Sequence, residues 1–165
     1  AAVAAAAAAS DPELGVPTLR TLSLADNPKV GGGAGPTAIF TALEQNTSLL
    51  SLDLSRCALT DAAAAGMGWM LHENSALRRL TAGHNRFGPK AARALAEGLL
   101  LNLTLRELNL EHNWSLGDAG AAYLGACLAD NEGLEVLSLA ATGLDGSCAP
   151  ALAAGLAANA AAKKG

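Results

Sequence analysis

The chain has 165 residues, 51% of them hydrophobic but only 3% aromatic, and a formal net charge of -4. That length is compatible with a single domain; no window reaches the ~20 consecutive apolar residues of a membrane helix, and a mildly acidic chain without a Lys/Arg run argues against nucleic acid or an anionic membrane as partner. The three cysteines, an odd number, read as buried unpaired thiols and fit a reducing compartment.

Taken in order, the chain opens AAVAAAAAAS, which lacks the basic segment and leucine-rich core of a signal peptide. Residues 1–16 are expected to be an alanine-rich flank, helical or of low complexity. The periodic pattern begins near residue 17. A nine-residue frame with apolar residues at positions one, four and six occurs at 19–27 (LRTLSLADN), 49–57 (LLSLDLSRC), 77–85 (LRRLTAGHN), 105–113 (LRELNLEHN) and 134–142 (LEVLSLAAT), with starts 30, 28, 28 and 29 residues apart. Positions four and six, such as Leu52 and Leu54 or Leu108 and Leu110, alternate with polar neighbours. That period of two marks a strand with one buried face. Position nine holds Asn27, Cys57, Asn85, Asn113 and Thr142, and a side chain turning inward there must satisfy loop backbone groups. Asparagine does this best, having both donor and acceptor. These five are assigned as a structural ladder.

The second half of each repeat is predicted to be helical. Leu43, Leu71, Leu99, Leu128 and Leu156 form one column, each three residues before an asparagine, with Ile39, Met67, Leu95, Leu124 and Leu152 four residues earlier. Residues at i and i+4 share a helix face, so each helix should lay an apolar stripe on the sheet. The residue before the reference leucine (Ala42, Met70, Gly98, Cys127, Gly155) is mostly small, which would let adjacent helices approach closely. The first repeat is lengthened by residues 31–35, GGGAG. A phosphate-cradling loop would continue into lysine and serine or threonine; Pro36 and Thr37 follow instead, and the segment is expected to be a flexible loop. The fourth repeat has one extra residue around 114–116.

A fixed period of this size indicates a stacked solenoid. The L-x-x-L-x-L-x-x-N frame resembles the leucine-rich repeat, and its length with a helical second half resembles the ribonuclease-inhibitor-like class. The resemblance implies an α/β horseshoe of about five repeats over residues 17–159, starting near 19, 49, 77, 105 and 134, with a parallel β-sheet on the concave face, α-helices on the convex face and a short tail at 160–165. It does not imply one function, because inhibitors, innate-immune receptors, a GTPase-activating protein and ciliary scaffolds share the repeat.

Residues fit for catalysis are sparse. His84 and His112 occupy position eight of adjacent repeats with Glu111 beside them, but spacing fixes no third strong ligand. No catalytic residue, metal, cofactor or small-molecule ligand is expected. The sequons at 46–48, 102–104 and 113–115 follow from the repeat and read as unmodified. The concave columns, which include Arg79, Glu107, Asn109 and Glu111, are small, mixed in charge and free of aromatics. With His84 and His112 they form the candidate partner-binding set. Trp69 joins them because it lies about 200° around its helix from Met67 and Leu71 and should point outward.

The expected function is a non-catalytic protein–protein interaction or scaffold module within a larger intracellular assembly, cytoplasmic or cytoskeletal, a cilium being one setting. Terminal repeats without polar caps suggest a fragment of a longer protein or a chain covered by its neighbours. The alternative is a regulator of a small GTPase, for which Arg20, Arg78 and Arg106 offer a basic row interrupted by Leu50 and Glu135.

Overall fold

A computed structural model describes residues 9–10 and 17–162. Five strands, β3 (Thr21–Ser23), β4 (Ser51–Asp53), β5 (Arg79–Thr81), β6 (Glu107–Asn109) and β7 (Val136–Ser138), form one parallel sheet in chain order. A helix follows each: α1 (Gly35–Glu44), α2 (Asp61–Glu73), α3 (Pro89–Leu99), α4 (Gly117–Asp130) and α5 (Ala149–Ala162). This is an α/β solenoid in which register is set by the repeat, with Leu22, Leu52, Leu80, Leu108 and Leu137 side by side. Each strand is only three residues long, yet the ladder extends beyond it. The carbonyl of Arg20, at position two, accepts from Leu50 and Ser51, and the N–H groups of Leu24 and Asp26, at positions six and eight, donate to Asp53 and Ser55.

The core lies between sheet and helices. Leu52, Leu80 and Leu108 from the strands, with Leu54 and Leu110 just after them, meet Met67, Leu71, Leu95, Leu99 and Leu124 from the helices, all buried. Two details depart from the expected stripe. In α1 Phe40 is buried beside Leu43, while Ile39 is only packed against the core; a Cβ at Gly66 would come 3.3 Å from the Phe40 ring, so α2 leaves room for it. In α5 the reference leucine, Leu156, is 60% exposed beside a groove lined also by Leu128, Leu137, Leu139 and Leu152.

The small column does let helices touch. A methyl group at Gly98 would fall on the Gly68 carbonyl, 2.8 Å from its carbon, and one at Gly155 would meet the Gly125 carbonyl, 2.9 Å from its carbon. The same helix pairs are tied at their N-termini. Asp61 accepts from the N–H groups of Gly88 (2.7 Å) and Ala91 (3.2 Å) at the start of α3, and Asp118 from Asp145 (2.8 Å) and Cys148 (2.7 Å) ahead of α5. Each aspartate thus caps the helix of the following repeat.

Residues 31–35, expected as a flexible loop, form successive turns, with Gly32 N–H on Lys29 O (3.2 Å) and Gly35 N–H on Gly32 O (3.3 Å). Gly31 packs where a side chain would strike the carbonyls of Cys57 and Ala58. The flank also differs from expectation. Within it β1 (Ala9–Ser10) pairs antiparallel with β2 (Pro17–Thr18), so pairing overrides local composition and crosses the expected boundary at residue 16. Of the expected flank, residues 1–8 and 11–16 lie outside the described residues, as do residues 163–165 of the expected tail at 160–165, whose first three residues belong to α5.

Candidate functional site

Two ladders of amides build the edges of the array. At position nine, Asn85 donates from Nδ2 to the carbonyls of Leu54 and Ala82 and accepts at Oδ1 from the N–H groups of Cys57 and Leu59. Asn113 repeats the pattern against Ala82, Leu110 and Phe87. Asn27 donates to Leu24 and Ala25, Cys57 donates its thiol to Leu24 O, and Thr142 its hydroxyl to Leu139 O. A second ladder closes the opposite edge. Asn74, Asn102, Asn131 and Asn159 each donate to two carbonyls of the preceding repeat, as Asn102 does to Leu71 O (2.6 Å) and Asn74 O (3.0 Å). The Nδ2 atoms of Asn102 and Asn113 are committed inside the protein and offer no nitrogen for a glycan.

Position eight, one residue before the first ladder, is where the protein presents its side chains. Asp26, Arg56, His84, His112 and Ala141 all have positive φ, between 53° and 62°. The geometry has a cause. The N–H of position eight must still donate into the sheet, as His84 does to Glu111 O (2.8 Å) and His112 to Ala140 O (2.9 Å), while position nine must already turn inward. Glycine would adopt this conformation freely, and other residues at a cost. Four of the five instead carry polar side chains, which come together as a ridge. Asp26 and Arg56 are 3.7 Å apart, Arg56 Nη2 is 3.4 Å from His84 Nε2, the imidazoles of His84 and His112 stack with centroids 4.0 Å apart, and Trp114 meets His112 edge-on at 5.7 Å. Desolvation and the charges of His112 and Arg56 hold the His84 pKa below its ordinary value.

The open face of the sheet adjoins this ridge. Arg79 pairs with Glu107 through two hydrogen bonds, one of 2.7 Å, which hold the Glu107 carboxyl below the usual range. Glu111 accepts from the Ser138 hydroxyl, likewise lowering its pKa. Asn109 is partly structural, since its Oδ1 accepts from Glu111 N–H (2.9 Å), closing the turn that leaves the strand. Arg79, Glu107 and Glu111 therefore share one groove of the sheet face, with Asn109 supporting them, while His84 and His112 stack on the ridge and act on Glu111 by their charge. Trp69 stands apart on α2, 57% exposed, its ring stacked on His72. Of the basic row, Arg106 is drawn onto the carbonyls of Leu103 and Gly133 and to Glu135.

Sequence reasoning left Asp26, Arg56 and Trp114 outside the candidate set. For Asp26 and Arg56 the signal was an Asp, Arg or His in the column preceding the ladder, a composition suited to left-handed backbone for Asp and His. Trp114 belongs to the one-residue insertion and has no counterpart column; it is 66% exposed.

The leucine-rich repeat family model matches residues 45–68 and 101–125. Over 131 residues, 78% of this chain, the sequence is 35% identical to the ribonuclease inhibitor of Sus scrofa. The chain is a leucine-rich repeat protein of the ribonuclease-inhibitor-like class. It spans 28% of the length of that relative. Among solved structures, this leucine-rich repeat chain superimposes on the tropomodulin C-terminal domain of Caenorhabditis elegans with a TM-score of 0.70 and 16% identity, covering 88% of this chain and 87% of that one. Actin-binding site 2 of leiomodin-1 gives a TM-score of 0.67 and 21% identity, covering 86% and 82%. At these identities the two structures share the fold with the leucine-rich repeat chain.

Proposed function

We propose that the chain is a non-catalytic protein-interaction module that presents its open sheet face and the Asp26–Arg56–His84–His112–Trp114 ridge to a protein partner in a cytoskeletal assembly. The observation that carries this reading is the ridge. Four repeats place a polar side chain in left-handed backbone that glycine would occupy at lower cost, and these side chains line up with each other and with Trp114. Trp and Arg are residue types enriched among interface anchors. The cytoskeletal setting is favoured by the likeness to leiomodin-1 actin-binding site 2, and protein recognition by the relatedness to an inhibitor of another protein. The regulator of a small GTPase is disfavoured, because Arg106 of the basic row is already engaged by Glu135 and two carbonyls.

The test is co-sedimentation with filamentous actin and crosslinking mass spectrometry of the native complex, using wild type and an Arg79→Glu/Trp114→Ala variant. Binding lost in the variant with an unchanged melting curve supports the proposed surface. Crosslinks confined to this chain, together with no actin association, overturn the reading.

A further inference from the structure

A separate surface is formed at the edge closed by the second asparagine ladder. In the loop after α3, Leu100, Leu101 and Leu103 surround buried Asn102 and are 41%, 69% and 58% exposed. The ladder places equivalent residues of neighbouring repeats beside them, because Asn102 donates to Asn74 O (3.0 Å) and Asn131 to Asn102 O (3.0 Å). The column of Leu101 is therefore Gln45, Glu73, Leu101 and Asp130, and that of Leu103 is Thr47, Ser75, Leu103 and Glu132. The third repeat is apolar there between two polar or acidic neighbours, and the fifth repeat places only the small Ala158 and Ala160. Single exposed leucines are common; three in one turn, at positions the flanking repeats fill with acidic or polar residues, form a patch.

We propose that this leucine patch is a docking site for a basic amphipathic helix of a protein partner. Charge identifies the occupant. Glu73 borders the patch on one side and Asp130 and Glu132 on the other, with His72 3.6 Å from Glu73. Of the nearby arginines, Arg93 is paired with Glu97 and Arg106 with Glu135, and Arg78 shares a groove with Arg106, so the three carboxylates of Glu73, Asp130 and Glu132 still outnumber the cations left beside the patch. An apolar centre in an acidic frame repels nucleic acid and anionic lipid and complements leucines flanked by lysine or arginine at helical spacing. The loop is held for this purpose. Arg106 bridges Leu103 O (2.9 Å) and Gly133 O (2.6 Å), and Gly133 packs where a Cβ would lie 3.0 Å from the Leu103 carbonyl carbon.

The probe is a labelled synthetic leucine–lysine amphipathic peptide of about 18 residues, five helical turns, compared by fluorescence anisotropy with a leucine–glutamate peptide of the same leucine pattern. The lysine peptide is expected to bind at least about tenfold more tightly. Leu101→Ser/Leu103→Ser should weaken it by about tenfold without lowering the melting temperature, and Asp130→Lys/Glu132→Lys should move preference toward the glutamate peptide. Equal binding of both peptides, binding insensitive to the leucine substitutions, or leucine-dependent association with phosphatidylcholine vesicles in place of either peptide would each overturn the proposal. Since the ridge is untouched by these substitutions, loss of the actin interaction alone would bear on the proposed function and not on this site.

Discussion

Replacing Asn85 with alanine tests whether the position-nine ladder holds the array together. Its Nδ2 donates to Leu54 O (2.9 Å), Ala82 O (3.0 Å) and Gly83 O (3.2 Å), and its Oδ1 accepts from Cys57 N–H (3.1 Å) and Leu59 N–H (3.0 Å), all buried. Not all five groups are stranded by the substitution. Ala82 O keeps the Asn113 amide and Gly83 O keeps the N–H of Arg56. Three remain: the two N–H groups and Leu54 O. At ~1 kcal/mol each, the lower end for a buried unpaired backbone group, the cost is about 3 kcal/mol, a large share of typical domain stability. The same reasoning leaves two groups stranded in Asn113→Ala, Phe87 N–H and Leu110 O, and fewest in Asn27→Ala, because Leu24 O also accepts from the Cys57 thiol. Urea unfolding followed by circular dichroism with linear extrapolation should rank the losses as Asn85, then Asn113, then Asn27. Asn85→Asp adds a sign. A carboxylate facing the Leu54 and Ala82 carbonyls has a raised folded pKa, so the deficit relative to wild type is smallest below the unfolded value of ~3.9 and grows as pH rises through the folded pKa. An Asn85→Ala protein within about 0.5 kcal/mol of wild type would refute the reasoning.

Gly98→Ala drives a methyl group into the Gly68 carbonyl, and backbone cannot move aside as a side chain can; a loss at or above the upper end of the ~1–3 kcal/mol for overpacking is expected in the same urea assay, and a neutral result would mean α2 and α3 are not in contact. The Cys148 thiol together with the N–H groups of Asp145 and Cys148 holds the Asp118 carboxyl well below the usual carboxylate range. Its stabilisation is present above the unfolded pKa of ~3.9 and lost as pH falls below it. The stability difference between wild type and Asp118→Asn should therefore shrink on acidification below about pH 4, and a pH-independent difference would remove this aspartate as a cap. Burial pushes the Cys127 thiol up to about 11 and raises that of Cys57, while the Asp118 contact raises Cys148. A thiol reagent at about pH 8 should label none of the three in the native protein and all three in denaturant; rapid native labelling would contradict their burial.

The repeat made the fold legible because every ladder position is dictated by periodic backbone demands. Leu52, Leu80 and Leu108 cannot leave register without turning the apolar face to solvent. Asn85 and Asn113 are placed by the same period. What could not be read depends on features that do not repeat. Phe40 is buried because Gly66 of the next helix leaves it space, a pairing 26 residues apart with no periodic trace. Trp114 reaches His112 through an insertion, and the pairing of Ala9–Ser10 with Pro17–Thr18 arises from residues whose composition points elsewhere. The left-handed backbone of position eight was hidden because Arg56, His112 and Ala141 share a conformation without sharing chemistry.

The Asp61 and Asp118 caps fall 57 residues apart, as do the Gly68–Gly98 and Gly125–Gly155 contacts, a separation of two repeats and not one. The array is therefore stitched in couples, the second repeat to the third and the fourth to the fifth, with a plainer seam between α3 and α4. Chains of this kind open in contiguous blocks. Amides of α2 and α3 should then lose hydrogen-exchange protection together, those of α4 and α5 together, and the unit in which such an array lengthens or shortens without stranding a cap is the couple.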